Sequence, residues 1–271
     1  MKSLLIIPFL LCSIAGAQQS VTLTPSKDTD VYSMLSYPTS SIHTLGVNST
    51  PLSQYPSSHS QRSFVQFNTS GVTIPAAEVG KAVLRLFVLN PDAEYGTLTP
   101  GNVHVHVQAS DWGAVVAYSS PKWTAFQSAG EIGTIPILSN SAETWVEIDI
   151  TSTVAAWMSG SLPNHGVFLA PQAEFMTPGI NLTFASMEVP GYQPQLVITR
   201  KVVPPALTIA SANGSVTLQW PVTGSTGWVL QRAESPAGPW LANTATVSNS
   251  GGNYQLQPAM TGREFFRLAK Q

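Results

Sequence analysis

The stretch of residues 145–169 constrains the fold more than any other part of the chain, because it joins two strand patterns through one short helix. At its start, apolar residues alternate with the acidic residues Glu147 and Asp149, as in a half-buried β-strand. These apolar residues are Val146, Ile148 and Ile150. Asp149 or Thr151 can then cap a helix.

Three apolar residues form one face of the helix that follows, at positions i, i+3 and i+4. They are Val154, Trp157 and Met158. Gly160 and Pro163 end the helix, and residues 164–166 form a turn before an apolar strand starts at residues 167–169. A strand, a helix and a strand of this size are typical of a corner of a β-sandwich rather than of an active site. Trp145 and Trp157 are therefore assigned to the core.

Residues 1–17 have the pattern of a signal peptide. A basic start precedes an apolar run from Leu4 to Leu11, and the small residues 15–17 form a cleavage site. The run is too short to cross a bilayer as a helix. Cys12 directly follows this run, inside the predicted signal peptide, and is the chain's only cysteine. We therefore expect a secreted, extracellular protein that begins near Gln18 and has no disulfide.

Composition excludes some classes of partner. Only 10% of the residues are charged, and the net charge is −2. Nucleic acid and anionic membranes require clusters of Lys and Arg, so neither is an expected partner, and membrane insertion is not expected. Low charge and frequent turn residues are typical of an extracellular all-β protein.

A second unit follows the two adjacent prolines of residues 200–205, which predict an extended linker. Strand patterns restart at once and continue through residues 206–271. Trp220, Trp228, Leu218 and Leu230 are the expected core of this unit. Its pattern of a Leu-Gln strand, a Pro-Trp pair and a closing Phe-Phe-Arg-Leu strand resembles a small fibronectin type III-like module. Such modules serve in spacing and attachment.

Several segments of the larger unit occur in one particular order. They are residues 28–32, 61–67, 81–88, 110–112 with 121–123, 184–188 and 194–197. Together with the 145–169 segment, they resemble the DNRLRE-type domain, also classed as carbohydrate-binding module family 96, over roughly residues 21–199. The resemblance implies a jelly-roll-like β-sandwich at residues 18–199 that binds a polysaccharide. Some members of this family bind an acidic glycan such as alginate.

A sugar site would combine aromatic rings, on which pyranose rings stack, with polar side chains that bind hydroxyl groups. The loop aromatics Trp112, Tyr118 and Trp123 are the candidate stacking residues, although Trp112 and Trp123 can equally be buried loop anchors. Arg62 and Arg85 are the candidate cationic partners for an acidic glycan.

Two groups of residues could bind a metal ion. Asp28 and Asp30 lie on one side of a strand, and in the resembling family the strand of Glu188 closes nearby, so their oxygens could bind a structural calcium. Alternatively, the two aspartates only mark the start of a strand, and Glu188 pairs with Arg62 or Arg85. We favour this second interpretation and expect no other cofactor.

The second group is His104 and His106, which lie on one strand face about 7 Å apart at their Cα atoms. Cupin-type enzymes bind iron or manganese with such a pair, a carboxylate and a third histidine. Asp111 is poorly placed to be that carboxylate. The sequence therefore favours two histidines on a solvated strand face.

No motif for catalysis stands out. The chain has no Gly-x-Ser-x-Gly nucleophile elbow, and its few carboxylates are explained as strand or turn residues. We predict a secreted, non-catalytic, all-β protein of two sandwich modules, whose larger module binds a polysaccharide. The alternative is a structural or adhesive protein of the cell surface or matrix that binds no glycan but contacts cell-surface partners.

Overall fold

The computed structural model describes residues 19–33, 44–49, 60–89, 98–113, 125–172, 179–212, 215–259 and 262–270. These residues form two compact units, of which the first is Gln19–Lys201 and the second begins at Val202. The predicted signal peptide lies outside the described residues, and so do Tyr118 and Trp123. The domain limits and the linker expected from the sequence stay predictions.

The larger unit is built from strands, with one α-helix in its described part. In chain order the strands are β1 (Ser20–Leu23), β2 (Lys27–Tyr32), β3 (Thr44–Ser49), β4 (Ser60–Gln66), β5 (Val79–Phe87), β6 (Gly101–Gln108), β7 (Ser128–Ile137), β8 (Trp145–Asp149), β9 (Val167–Pro171), β10 (Asn181–Ala185) and β11 (Gln195–Arg200). The helix α1 spans Thr151–Ser159, and a 3-10 helix spans Ala76–Glu78.

The strands form two sheets in which every pairing is antiparallel. The four-stranded sheet has the order β1-β11-β5-β8, and the seven-stranded sheet has the order β10-β3-β4-β9-β6-β7, with β2 paired to β4. Neighbours in a sheet are rarely neighbours in the chain, so the fold depends on pairing over long distances. The predicted all-β sandwich is confirmed.

Strand alternation explains how the sheets bury one shared core. Side chains on a strand point alternately to the two faces of its sheet. In β5, Ala82, Leu84 and Leu86 are fully buried, whereas the intervening Val83 and Arg85 are half-buried. Corresponding rows from the other strands join them in one apolar cluster. We call the face of each sheet that points away from this cluster its outer face.

The corner predicted at residues 145–169 is present. Helix α1 follows β8 directly, and Asp149 Oδ1 accepts a hydrogen bond from Thr151 N at 2.9 Å. Val154 and Trp157 are buried, and Gly160 ends the helix in the left-handed conformation at φ 76°. Of the helices that the structure describes, none is long and apolar enough to cross a membrane.

The smaller unit contains two antiparallel sheets. Its strands are β12 (Thr208–Ala212), β13 (Ser215–Pro221), β14 (Trp228–Ala233), β15 (Leu241–Ala242), β16 (Ser248–Ser250), β17 (Asn253–Leu256) and β18 (Phe265–Lys270). They pair in the orders β12-β13-β17-β16 and β15-β14-β18. Leu218, Trp220, Leu230 and Leu256 form its core, while Trp228 is half-buried. The likeness to a fibronectin III-like module stays a prediction.

Candidate functional site

Four aromatic rings cover part of the outer face of the seven-stranded sheet. Phe64 on β4 and Phe168 on β9 point away from the main core, because their neighbours Val65 and Val167 point into it. The Phe64 ring stacks on Trp112 at 4.8 Å between centroids and on Phe126 at 4.0 Å. We call Phe64, Trp112, Phe126 and Phe168 the aromatic cluster. Burial of these rings against one another holds Trp112 and Phe126 against the sheet.

Two cationic side chains border the aromatic cluster. Arg62 Cζ lies 5.5 Å from the centroid of Phe126 and 5.9 Å from that of Phe168. Lys27 Nζ lies 4.0 Å from the centroid of the Trp112 ring and 3.1 Å from Asp111 Oδ1. Such contacts place positive charge over aromatic rings, where the ring quadrupole attracts it.

Trp112 is a packed anchor in this structure. Only 2% of the residue is exposed, and its Nε1 donates a hydrogen bond to the His165 carbonyl oxygen at 2.9 Å. Of the two interpretations left open by the sequence, the buried loop anchor describes its position. The stacking role of Tyr118 and Trp123 stays a prediction, because both lie outside the described residues.

The outer face of the four-stranded sheet carries a second, more open group of rings. Trp145 on β8 lies edge-on to Phe87 on β5, with 5.4 Å between centroids. Tyr192, in the turn before β11, lies 4.2 Å from Phe87 and is 45% exposed. We call Phe87, Trp145 and Tyr192 the aromatic row. Its rings are inclined to one another by 67° and 34°.

The assignment of Trp145 to the core is wrong. Trp145 is half-buried and shares a face with Glu147, because Val146 between them points to the core. The alternation that correctly placed Val146 inside also requires Trp145 to lie outside. Trp157, by contrast, is buried as expected.

Polar side chains adjoin the aromatic row. Arg85 donates from Nε to Glu147 Oε1 at 2.7 Å and from a terminal nitrogen to Gln195 Oε1 at 2.8 Å. Its Cζ also lies 4.8 Å from the centroid of the Trp145 ring. Arg62 and Arg85 therefore lie on the outer faces of different sheets and do not converge on one ligand.

A group of three side chains that could bind a metal ion lies beside the aromatic cluster, on the same outer face of the seven-stranded sheet. His104 and His106 project from β6, and Glu131 projects from the neighbouring β7; one potential ligand atom from each lies within 4.8 Å of the others. His104 Nδ1 is 2.9 Å from Glu131 Oε1, and His106 Nδ1 is 3.1 Å from Ser128 Oγ. Burial lowers the pKa of His106, which stacks on Phe168 at 4.7 Å.

A β-bulge brings Glu131 to the histidines. Val105 pairs with Gly133, but the next residue, His106, pairs with Glu131 instead of Ile132. The extra residue shifts the register by one position, and a shift of one position moves side chains to the opposite face. Without this shift, Glu131 would face Val107 on the core side of the sheet.

Asp28 and Asp30 are both buried, with 6% and 1% of each residue exposed. Asp28 Oδ2 accepts a hydrogen bond from Met187 N at 2.8 Å, and Asp30 Oδ2 accepts one from Gly46 N at 3.3 Å and another from Gln61 Nε2. Burial, outweighing these hydrogen bonds, raises the pKa of each aspartate to about 7.

The negative charge of Glu188 also raises the pKa of Asp28, so the predicted calcium residues influence one another electrostatically. Glu188 itself is exposed and accepts a hydrogen bond from Ser186 Oγ at 2.8 Å. Calcium binding by these three residues stays a prediction.

Comparison with protein-family models matches residues 19–200 to carbohydrate-binding module family 96. This match covers well over half of the chain and nearly all of the larger unit. The chain belongs to this family. Carbohydrate binding is therefore the general activity that its membership supports. No curated protein matches the chain.

The family 96 module also contains a cleft of about 610 Å³ beside helix α1. Its lining mixes polar residues with apolar ones, of which Phe67, Ile74, Trp157 and Met158 are the large members. Within the described part of the chain, Trp157 Nε1 and Gln66 Oε1 are buried without a hydrogen-bond partner. The volume of the cleft is sufficient for a small hydroxylated molecule. The two unpaired polar atoms, however, are buried beneath the surface of the cleft.

Sequence reasoning missed Glu131 and Tyr192. Glu131 is placed by a register shift that depends on how β6 and β7 pair. Tyr192 lies in a turn whose neighbours in space, Phe87 and Trp145, come from distant parts of the sequence. For Trp145 a signal was present, because the alternation in β8 puts it on the solvent face.

Proposed function

We propose that the protein is a secreted, non-catalytic protein that binds a polysaccharide along the aromatic row of its family 96 module. The observation that carries this proposal is the open position of Tyr192 beside Phe87 and Trp145 on one sheet face. Membership of a carbohydrate-binding family supplies the ligand class. Sugar rings bind proteins by stacking their apolar faces on such aromatic side chains.

The geometry favours a hydroxyl-rich, neutral polysaccharide over an alginate-like one. Arg85 is the cation beside the row, and it already pairs with Glu147 at 2.7 Å. An acidic sugar that paired with Arg85 would have to displace the carboxylate of Glu147, whose side chain is 52% exposed. Sugar hydroxyls, in contrast, can bind to the free lone pairs of Glu147 and Gln195 while the ion pair stays intact.

The inclination of the rings supports a ligand that is a chain rather than a single sugar. Phe87, Trp145 and Tyr192 do not form one flat platform, because adjacent rings are inclined by 67° and 34°. Successive sugars of a bent or twisted chain can each contact a ring, whereas a flat crystalline surface cannot contact all three together. We therefore expect soluble or amorphous glycans to bind better than crystalline ones.

Affinity electrophoresis of the full mature chain through gels that contain single polysaccharides tests this proposal. We expect retardation by at least one neutral polysaccharide. The Tyr192→Ala variant should lose about twofold to twelvefold in affinity, as expected for loss of one aromatic contact worth about 0.5–1.5 kcal/mol. Leu138→Ala, which truncates a side chain that is 59% exposed elsewhere on the same unit, is the matched control.

Retardation by alginate alone would contradict the preference for a neutral ligand. Retention that Tyr192→Ala leaves unchanged would exclude the aromatic row as the site. Absence of retention on every glycan would favour the alternative, a structural or adhesive protein of the cell surface or matrix. The secreted location is tested separately, by amino-terminal sequencing of protein from the culture medium, which should begin near Gln18.

A further inference from the structure

His104, His106 and Glu131 combine the two ligand types that first-row transition metals favour in proteins, imidazole nitrogen and carboxylate oxygen. Their ligand atoms lie within 4.8 Å of one another. In the tetrahedral geometry of protein zinc sites, bonds of about 2.0–2.2 Å place two ligands of one ion about 3.3–3.6 Å apart. The ligand atoms therefore have to approach one another by roughly 1 Å to bind one ion, and rotation of the side chains can supply this movement.

The surroundings of the group allow this rotation and hold the imidazoles in place. The side chain of Glu131 is 43% exposed, so it can move, and that of His104 is 21% exposed. His106 is held from both sides, since its ring stacks on Phe168 and its Nδ1 lies 3.1 Å from Ser128 Oγ. Engagement of Nδ1 leaves Nε2 as the ligand atom, an arrangement common among metal-binding histidines.

The hydrogen bond between His104 Nδ1 and Glu131 Oε1, at 2.9 Å, shows that the carboxylate already lies beside the imidazole. A hydrogen bond between one histidine and one carboxylate across the two strands would involve only His104 and Glu131. The bulge in β7 instead brings Glu131 opposite His106, while His104 pairs with Thr134. The carboxylate of Glu131 thus lies opposite His106 in the strand pairing and within hydrogen-bond distance of His104, on the same strand face.

We propose that His104, His106 and Glu131 form a binding site for a divalent first-row transition-metal ion on the outer face of the seven-stranded sheet. Zinc fits this set best, because it accepts nitrogen and oxygen ligands without a fixed geometric preference. Three protein ligands leave at least one coordination position for water or for an oxygen of a bound molecule. The site is independent of the aromatic row, which lies on the other sheet.

Isothermal titration of the full mature chain with zinc sulfate tests this proposal. The protein carries no histidine tag and is first treated with a chelator. We expect one ion to bind per chain. The variants His106→Ala and Glu131→Gln should each weaken binding by at least about tenfold, since loss of outer-shell partners alone costs about 10–100-fold. His165→Gln, which changes a histidine outside the group, should bind like the parent chain.

Titration with Co²⁺ gives a second, independent measurement. A protein-bound cobalt ion absorbs visible light more strongly than the aqueous ion does, and its absorption bands differ in shape. The bands should appear in the parent chain and in His165→Gln, and should be lost in His104→Ala. Circular dichroism of each variant verifies folding, and Glu131→Gln, a conservative change at an exposed side chain, keeps the test valid if a histidine variant unfolds.

Two results would overturn the proposal. One is the absence of zinc or cobalt binding by the folded parent chain. The other is binding that His104→Ala, His106→Ala and Glu131→Gln all leave unchanged, because the ion would then occupy a different site. Failure of glycan binding has no bearing on either result.

Discussion

The two buried aspartates make the stability of the larger unit depend on pH, and replacing Asp28 with asparagine tests this directly. Asparagine has nearly the same shape, and its amide oxygen can still accept the hydrogen bond from Met187 N that Asp28 accepts at 2.8 Å. The substitution therefore removes the titrating group and keeps the contact. Asp28 is 6% exposed, so solvent screens its charge only weakly.

The magnitude follows from the raised pKa. Burial raises the pKa of Asp28 from 3.8 to about 7, so the folded chain binds this proton more tightly than the unfolded chain does. The resulting stabilisation is fully present below pH 3.8 and is lost as the pH rises through 7. At about 1.36 kcal/mol per pKa unit, the loss from Asp28 is about 4 kcal/mol between pH 4 and pH 8.

Urea unfolding of the full chain at pH 4, 5, 6, 7 and 8, with a chelator present, measures this loss. Methyl NMR signals from the core of the larger unit follow its unfolding separately from that of the smaller unit. We expect the free energy of unfolding to fall with pH in the parent chain and to fall by clearly less in Asp28→Asn. Asp111→Asn is the control, because the hydrogen bond from Lys27 lowers the pKa of that exposed carboxyl.

Parallel curves for the parent chain and Asp28→Asn would refute this reasoning, since the proton on Asp28 would then contribute nothing to the pH dependence. Repeating the titration with calcium in place of the chelator tests the predicted ion site of Asp28, Asp30 and Glu188. A calcium ion bound there should restore stability at pH 8 in the parent chain and restore less in Asp28→Asn.

Three further substitutions should lower stability by amounts that urea unfolding can measure. Gly166 has φ +82°, and an added Cβ would meet the Val65 backbone oxygen at 2.3 Å, so Gly166→Ala should cost more than about 3 kcal/mol. Gly160→Ala, at φ +76° in open space, should cost about 1–2 kcal/mol, and equal costs would contradict the packing argument. Trp112→Phe removes the hydrogen bond to the His165 carbonyl and should cost about 1–3 kcal/mol, whereas a surface loop would tolerate it.

The sequence predicts best those features whose causes are local. In the 145–169 corner, the alternation of Val146 and Ile148, the helical spacing of Val154 and Trp157, and the stop at Gly160 all act over a few residues. Each of these expectations agrees with the structure. The same alternation places Trp145 on the solvent side of its strand, contrary to the prediction that it lies in the core.

Features that depend on pairing between distant strands could not be predicted in this way. Arg62 and Arg85 appear equivalent in the sequence, yet they lie on different sheets because β4 and β5 join different sheets. Glu131 was overlooked as a partner of the histidine pair because its face depends on a shift of one position between β6 and β7. Asp111, the carboxylate that follows His106 most closely in the sequence, pairs instead with Lys27.

The extra residue in β7 has an evolutionary consequence. Deletion of the single codon for Ile132 would reduce the separation of Glu131 and Thr134 from three positions to two, so a regular strand without the bulge would still place the carboxylate opposite His106. Related genes could therefore carry this constellation with either of two spacings that differ by one three-nucleotide event, with no substitution at any of its members. A survey of homologues that requires one fixed spacing between these three positions would miss such a chain, so both spacings must be searched.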